Sequence, residues 1–166
     1  IIPESYVEQV AERLSLYKRI SEAPDEAALQ ELARELIDRF GPLPPEVMDL
    51  LDAVRIRKLG SAMGVVRIVL KGKKLHAYFP EGNDNPFYQS PEFQLVLLYV
   101  QQHPQGLTLE QKKTQLILRA SNINIIKEAY FLMEDLHSFV EERMQKGEGW
   151  QEAESEEAKT AESVQQ

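Results

Sequence analysis

The 166-residue chain has an ordinary globular composition, with 43% hydrophobic and 28% charged residues. It is long enough to bury a core of its own, and the absence of cysteine excludes disulfides and thiol chemistry and predicts a cytoplasmic protein. A formal net charge of −8 argues against a surface that binds nucleic acid everywhere, and the lack of any run of about 18 apolar residues argues against a membrane span.

The first predicted helix opens at a capping-box pattern formed by Ser5 and Glu8, whose side chains can each satisfy a free backbone N–H. Its apolar residues recur at alternating three- and four-residue steps and predict one buried stripe, Val7, Val10, Leu14 and Tyr17. Pro24 is expected to interrupt this helix because proline has no backbone N–H to donate.

The second predicted helix has the strongest pattern in the chain. Asp25 and Glu26 lie in its first turn, where negative charge suits the helix dipole, and Gly41 with Pro42 ends it. Its apolar residues follow the i, i+3, i+4, i+7 template throughout and are expected to face a core: Leu29, Leu32, Ala33, Leu36, Ile37 and Phe40.

A third helix is predicted to start at Pro45 and to end near Gly60 or Gly64. The pattern then changes, because β-rich runs at residues 65–70 and 74–79 predict a hairpin. The remaining predicted elements are a helix at 93–101, a strand at 115–119 and a long helix at 122–144.

These elements predict an α+β fold with a helical N-terminal part, a small antiparallel sheet that contains a β-hairpin, and a long C-terminal helix. A single domain is expected at residues 1–144, followed at 145–166 by an acidic tail that is an extension or flexible. The start at Ile1, without an initiator methionine or a signal peptide, predicts a fragment of a longer protein.

Motifs for catalysis are not recognisable in the sequence. Gly60 and Gly64 are not followed by a Lys-Ser or Lys-Thr pair, which argues against a phosphate-binding loop. The histidines His76, His103 and His137 lack the spacing of metal ligands. We therefore expect no catalytic residue, metal or cofactor in this domain; a hydrolase site assembled in space stays open as a third hypothesis.

One basic stretch stands out, because no acidic residue occurs between Ala53 and Pro80. Its basic residues are Arg55, Arg57, Lys58, Arg67, Lys71, Lys73 and Lys74. With Tyr78 nearby, such a run could bind single-stranded nucleic acid, although lysines on a hairpin also protect sheet edges from pairing. A nucleic-acid-binding module that uses the Arg55–Lys74 stretch is therefore the alternative interpretation.

Two segments resemble a known family. Residues 13–20 read RLSLYKRI and residues 35–44 read ELIDRFGPLP, and both closely resemble the C-terminal domain of bacterial transcription-repair coupling factors. The pattern of Leu50-Leu51 followed by Arg55-Ile56-Arg57 is also similar to that family. The resemblance is specific over about residues 2–64 and loose beyond them.

The resemblance implies a regulatory domain of an ATP-dependent DNA translocase that removes stalled RNA polymerase and recruits nucleotide excision repair. ATP and magnesium would serve the motor domains of the parent protein. In this family the C-terminal domain packs on the protein's own N-terminal module, which resembles the excinuclease B subunit, and hides the surface that binds the excinuclease A subunit. The implied role is an autoinhibitory clamp, with RNA polymerase and DNA as indirect partners.

The family's interdomain contact falls on the second helix, and the matching polar positions are Glu35, Asp38 and Arg39. Glu31 projects from the same side, because these residues are spaced three or four positions apart. Carboxylates beside an arginine can form charge-assisted hydrogen bonds with a complementary surface. The competing interpretation is two intrahelical pairs, Glu35–Arg39 and Arg34–Asp38, each worth about 0.2–0.5 kcal/mol.

Overall fold

The computed structural model describes residues 1–147, which form two compact units, residues 1–56 and 57–147. In chain order the elements are α1 (Val10–Glu22), α2 (Glu26–Phe40), α3 (Pro45–Ala62), β1 (Arg67–Lys71), β2 (Lys74–Glu81), a 3-10 helix (Pro86–Gln89), α4 (Pro91–Gln101), β3 (Leu107–Lys112), β4 (Gln115–Ala120) and α5 (Ile126–Gln145). The predicted α+β class is confirmed, as are the hairpin and the long last helix. The end of the predicted acidic tail, residues 148–166, lies outside the described residues.

The start of α1 differs from the prediction. The helix begins at Val10 after an uncapped Gln9, so the Ser5–Glu8 capping box is wrong. The reason is a turn at Pro3, whose carbonyl accepts hydrogen bonds from the N–H groups of Tyr6 and Val7 at 3.0 and 3.1 Å. These bonds hold the chain in a turn where a helix was expected.

The predicted apolar stripe of α1 is also wrong in part. Val10 and Leu14 are 60% and 64% exposed, whereas Leu16 and Ile20 are 1% exposed. Arg13 lies on the same side of α1 as Leu16 and Ile20, and a pattern made of apolar residues does not include an arginine. Its guanidinium donates to the carbonyls of Val7 and Glu8 at 2.7 and 2.9 Å, which ties the helix to the preceding turn.

The second helix begins and ends as predicted. The Asp25 carboxylate accepts a hydrogen bond from the N–H of Ala28 at 2.8 Å and caps the helix start. Gly41 ends it with a φ of +93°, a conformation that glycine adopts without strain. The burial of Ile37, however, was predicted wrongly, because this side chain is 48% exposed. It lies about 100° around the helix from Leu36, beyond the edge of the buried face.

The core of the first unit is built by side chains from the lead-in and from three helices. Its buried members are Ile2, Val7, Leu16, Ile20, Ala23, Leu29, Leu32, Leu36, Val47, Leu51 and Val54. The Tyr6 hydroxyl lies within hydrogen-bond distance of the carbonyls of Gly41 (2.8 Å) and Leu36 (3.1 Å) and fixes the end of α2. The predicted third helix is confirmed, with its end at Ala62.

The second unit contains a four-stranded antiparallel sheet in the order β1-β2-β4-β3. The β1–β2 hairpin turns through Gly72 and Lys73, both with a φ of 60°, as a two-residue hairpin turn requires. Strand β3 was missed by the sequence analysis, because it is an edge strand in which four of the six residues are polar and three of those are exposed. One face of the sheet is buried, and there Phe79 contacts the rings of Phe87 and Phe93.

The last helix begins later than predicted. Asn122 has a φ of +63°, which is incompatible with a helix start, and α5 begins at Ile126. The apolar residues of α5 that are buried are Ala129, Met133, Leu136 and Val140, whereas Ile125 just before the helix is 59% exposed. None of the helices within residues 1–147 combines the length and apolarity that crossing a membrane requires.

Candidate docking surface on the second helix

Four charged side chains join α1 to α2 in the first unit. Arg19 donates two hydrogen bonds to the Glu35 carboxylate, at 2.6 and 2.9 Å. Arg39 lies 3.3 Å from the same carboxylate and forms a second ion pair with Glu12. Positive and negative groups therefore alternate through Glu12, Arg39, Glu35 and Arg19, and we call this set the interhelical ion network.

The network strongly favours the ionised form of Glu35. Hydrogen bonding from Arg19 lowers the pKa of Glu35 from 4.5 to about 2, against an opposing effect of burial and with further lowering by the charge of Arg19 and by Arg39. The pKa of Arg19 is raised by the same hydrogen bond. Both side chains are partly exposed, so the network lies at the surface and is open to a partner.

Glu31 and Asp38 lie on the outward side of α2 and are exposed. Neither forms a hydrogen bond or an ion pair with any residue in the described range 1–147. The network is neutral, and Arg34, exposed between these two carboxylates on α2, offsets one of them, so this side of the helix has a net charge of −2 + 1 = −1. The four predicted residues thus share one side of the helix but differ in state: Glu35 and Arg39 are paired, whereas Glu31 and Asp38 are not.

The intrahelical interpretation holds for one pair of the two. Glu35 and Arg39 form the expected i,i+4 contact at 3.3 Å, whereas Arg34 and Asp38 form no ion pair within the part of the chain that the structure describes. The sequence analysis missed Arg19 and Glu12 as partners. Sequence periodicity predicts which residues share a face of one helix. It does not predict which charges of α1 contact those of α2, because that depends on how the two helices pack.

Charge is distributed unevenly between the two units. Residues 1–56 contain 12 acidic and 6 basic residues, a net charge of −6, whereas residues 57–147 contain 9 acidic and 12 basic residues, a net charge of +3. The candidate docking surface thus belongs to a strongly acidic unit. A partner that carries arginine or lysine would meet a complementary field there.

The predicted nucleic-acid stretch is divided among several places. Arg55 belongs to the first unit, where its guanidinium binds the Glu26 carboxylate at 2.9 and 3.1 Å and the buried Asp52 at 3.0 Å. In the second unit, Arg57, Lys58 and Arg67 line a surface cavity of about 510 Å³. The other cations, Lys71, Lys73 and Lys74, are exposed at the β1–β2 turn.

A metal centre is not formed by the described residues. Among residues 1–147 no three histidine, cysteine, aspartate or glutamate side chains lie close enough together to hold an ion. His103 stacks on Tyr99 with ring centroids 4.1 Å apart, and its Nδ1 lies 2.7 Å from the Tyr99 carbonyl oxygen, a packing role at the end of α4.

Comparison with known proteins gives a consistent result. The family model of the TRCF domain matches residues 1–90, more than half of the chain. The transcription-repair-coupling factor of Escherichia coli is 36% identical over 110 residues, which are 66% of this chain and 9% of that protein. The Haemophilus influenzae protein of the same name is 47% identical over 68 residues, 41% of this chain and 6% of that protein.

A solved structure shares the fold. A crystal structure of the C-terminal domain of a transcription-repair coupling factor superimposes with a TM-score of 0.65 at 22% identity, covering 86% of this chain and 85% of that chain. The chain spans less than a tenth of the length of the full-length relatives named above.

Proposed function

The chain belongs to the TRCF domain family, the C-terminal domain of transcription-repair coupling factors, and we propose that it is an autoinhibitory clamp within a longer protein of that kind. The clamp would dock on the parent's own N-terminal module, which would resemble the excinuclease B subunit. Docking would cover the surface that recruits the excinuclease A subunit. The parent would be an ATP- and magnesium-dependent DNA translocase of the cytoplasm that acts on stalled RNA polymerase, and this domain would regulate it without catalysis.

The proposal rests on two exposed carboxylates, Glu31 and Asp38, which lie beside the interhelical ion network and have no ion-pair partner among residues 1–147. Exposed carboxylates of this kind suit a guanidinium on a partner, because such a bond is charge-assisted and can be bidentate. Arg39 and Glu35 of the network can also contact a partner, because exchanging their surface ion pairs for contacts across an interface costs little free energy. Ile37, 48% exposed on another side of α2, offers apolar area that such an interface could cover.

The test is a binding titration between this chain and the separately produced excinuclease-B-like module of its parent. Asp38→Asn and Glu31→Gln should each weaken binding by about 10- to 100-fold, because a hydrogen bond to a charged group contributes about 1.5–3 kcal/mol. The matched control is Asp49→Asn, which removes an exposed carboxylate from α3 and should leave the affinity unchanged.

Two results would contradict the proposal. The first is a wild-type chain that does not bind the module at low salt. The second is a chain in which Asp38→Asn and Glu31→Gln bind as tightly as Asp49→Asn, which would place the interface away from α2.

A further inference from the structure

The strand register collects basic and aromatic side chains on one face of the sheet. In the antiparallel pairings Arg67 lies opposite Tyr78, Tyr78 opposite Ile117, and Ile117 opposite Glu110, and directly opposed residues point to the same face. Next to them the register aligns His76 with Arg119, and then Lys74 with Lys71; Lys112 of β3 lies opposite Gln115. We call this the open sheet face and define it by its basic and aromatic members, Arg67, Lys71, Lys74, His76, Tyr78, Lys112 and Arg119.

The open sheet face is distinct from the buried one. On β2 the buried residues are Leu75, Ala77 and Phe79, whereas the alternating His76 and Tyr78 are only half-buried. Ile117, between Tyr78 and Glu110 on the open sheet face, is 2% exposed, so the accessible part of this face is its rim with His76 and Tyr78. The cations at the rim of the face are the most accessible members: Arg67, Lys71, Lys74 and Lys112 are exposed. With four strands about 4.8 Å apart, the face is about 14 Å wide, enough for an extended chain to cross it.

The charge of this face is strongly one-sided. Glu110 is one of its two carboxylates in the described register, and Arg119 binds it at 2.8 Å. Glu81 is the second, because it lies opposite Gln115, which lies opposite Lys112; five arginines and lysines against these two acids leave the face a net charge of 5 − 2 = +3. The pKa of His76 is lowered by burial first and then by the positive charges of Arg119, Lys74 and Lys112. Cations from three strands thus act on one point at the centre of the face.

Aromatic surface lies among these cations. The guanidinium of Arg67 lies 5.2 Å from the centroid of the Tyr78 ring, a cation–π contact, and the His76 imidazole is two residues away on the same face. Stacked arginine and aromatic planes between cations are the means by which open sheets bind unpaired bases, while lysines neutralise the phosphates.

We propose that the open sheet face binds single-stranded nucleic acid. Arg67, Lys71, Lys74 and Lys112 contact phosphates along the rim, and Tyr78 with His76 receives a base. A duplex fits less well, because its paired bases are not available for stacking on the rings. This surface extends the sequence-based hypothesis to β3 and β4 and excludes Arg55, whose charge is neutralised in the first unit.

The experiment is a fluorescence-anisotropy titration of the whole chain with a labelled oligothymidylate of about 20 nucleotides at several salt concentrations. Wild type should bind, with log K falling linearly against log salt by about 0.7 for each phosphate neutralised. Lys74→Gln should reduce that slope by about 0.7, and the triple variant Lys71→Gln, Lys74→Gln and Lys112→Gln by about 2. Lys146→Gln, at the end of α5 and off the face, is the matched control and should bind as wild type.

Tyr78→Leu separates stacking from charge. It should weaken oligothymidylate binding by about 5- to 100-fold at constant salt slope, because base stacking contributes about 1–3 kcal/mol per base. The lysine variants keep the test independent of any folding defect in this variant, since they replace exposed side chains.

Three outcomes would overturn the proposal. One is the absence of binding at low salt, and another is equal affinity of the triple lysine variant and wild type. The third is tighter binding of a competitor than of oligothymidylate. Tighter binding of a duplex of the same length would assign the surface to duplex DNA, and tighter binding of polyglutamate would assign it to an acidic protein.

Discussion

Arg19 of α1 holds Glu35 of α2 through two parallel hydrogen bonds of 2.6 and 2.9 Å. This contact fixes one flank of α2 against α1 and leaves Asp38 and Glu31 unpaired on the outward side. The same helix therefore carries a flank stabilised by ion pairs and a side available for docking. The function proposed for the domain depends on that division.

The first prediction concerns acid. Glu35 has a pKa of about 2 in the folded chain against an ordinary value of 4.5, so the ion pair stabilises the fold fully above pH 4.5 and loses its effect as the pH falls toward 2. Glu35→Gln should lower the free energy of unfolding at pH 7 by about 0.2–1 kcal/mol, the range for exposed pairs. Urea unfolding of wild type and Glu35→Gln should show a difference in the free energy of unfolding at pH 7 that disappears near pH 2.

Glu31→Gln is the control on the same helix. Because Glu31 has no partner among residues 1–147, its replacement should change stability little at either pH. A Glu35→Gln penalty that stays constant down to pH 2 would contradict the role of the Arg19 contact.

The second prediction tests which residues of the first unit form its core. Leu29 is fully buried, and Leu29→Ala should reduce the free energy of unfolding by about 2–5 kcal/mol. Leu14, which the apolar pattern of the sequence placed in the core, is 64% exposed, and Leu14→Ala should change it by no more than about 0.5 kcal/mol. Denaturant unfolding measures both; similar losses in the two variants would favour the stripe predicted from the sequence.

The third prediction compares two candidate helix caps. Asp25→Ala removes the hydrogen bond to the N–H of Ala28 and should cost about 0.5–2 kcal/mol. Ser5→Ala should cost almost nothing, because Ser5 lies in the turn before α1 and caps no helix. Thermal unfolding measures the loss of stability in both variants, and a large loss in Ser5→Ala would support the predicted capping box of Ser5 and Glu8.

The fourth prediction concerns the connection between α3 and β1. Gly64 has a φ of +86°, and a Cβ at this position would overlap the ring of Phe87. Gly64→Ala should therefore lose about 1–2 kcal/mol from the backbone alone, and more from displacement of the ring. Gly106→Ala is the control, because a Cβ there meets no atom within 4 Å, and it should be neutral within about 0.5 kcal/mol in the same denaturation assay. Equal stability of the two variants would contradict the described packing of Phe87.

Much of the fold could be predicted from periodicity and from the residues that start and stop elements. Asp25 and Gly41 bound α2 as expected, because capping and a positive φ are local properties. Strand β3 and the burial of Ile37 could not be predicted in the same way. Strand β3 is an edge strand that is stabilised by pairing with β4, so it needs few apolar residues. The burial of Ile37 depends on which elements pack against α2, which helical spacing does not determine.

The candidate site was predictable only in part. The positions of Glu31, Glu35, Asp38 and Arg39 on one side of α2 follow from helical spacing. Their pairing does not, because Arg19 is 16 residues away from Glu35 in sequence and meets it only through the packing of α1 on α2. The open sheet face has the same origin: Lys74 and Lys112 share it because β4 lies between their strands.

The most direct test of the clamp uses the full-length parent protein and measures its affinity for the excinuclease A subunit in the absence of ATP and DNA. If the domain covers that binding surface, the double variant Glu31→Lys and Asp38→Lys should release it. The apparent Kd should then fall by the factor by which the open fraction of the protein increases. Equal affinity of wild type and the double variant for the excinuclease A subunit would contradict autoinhibition through this surface of α2.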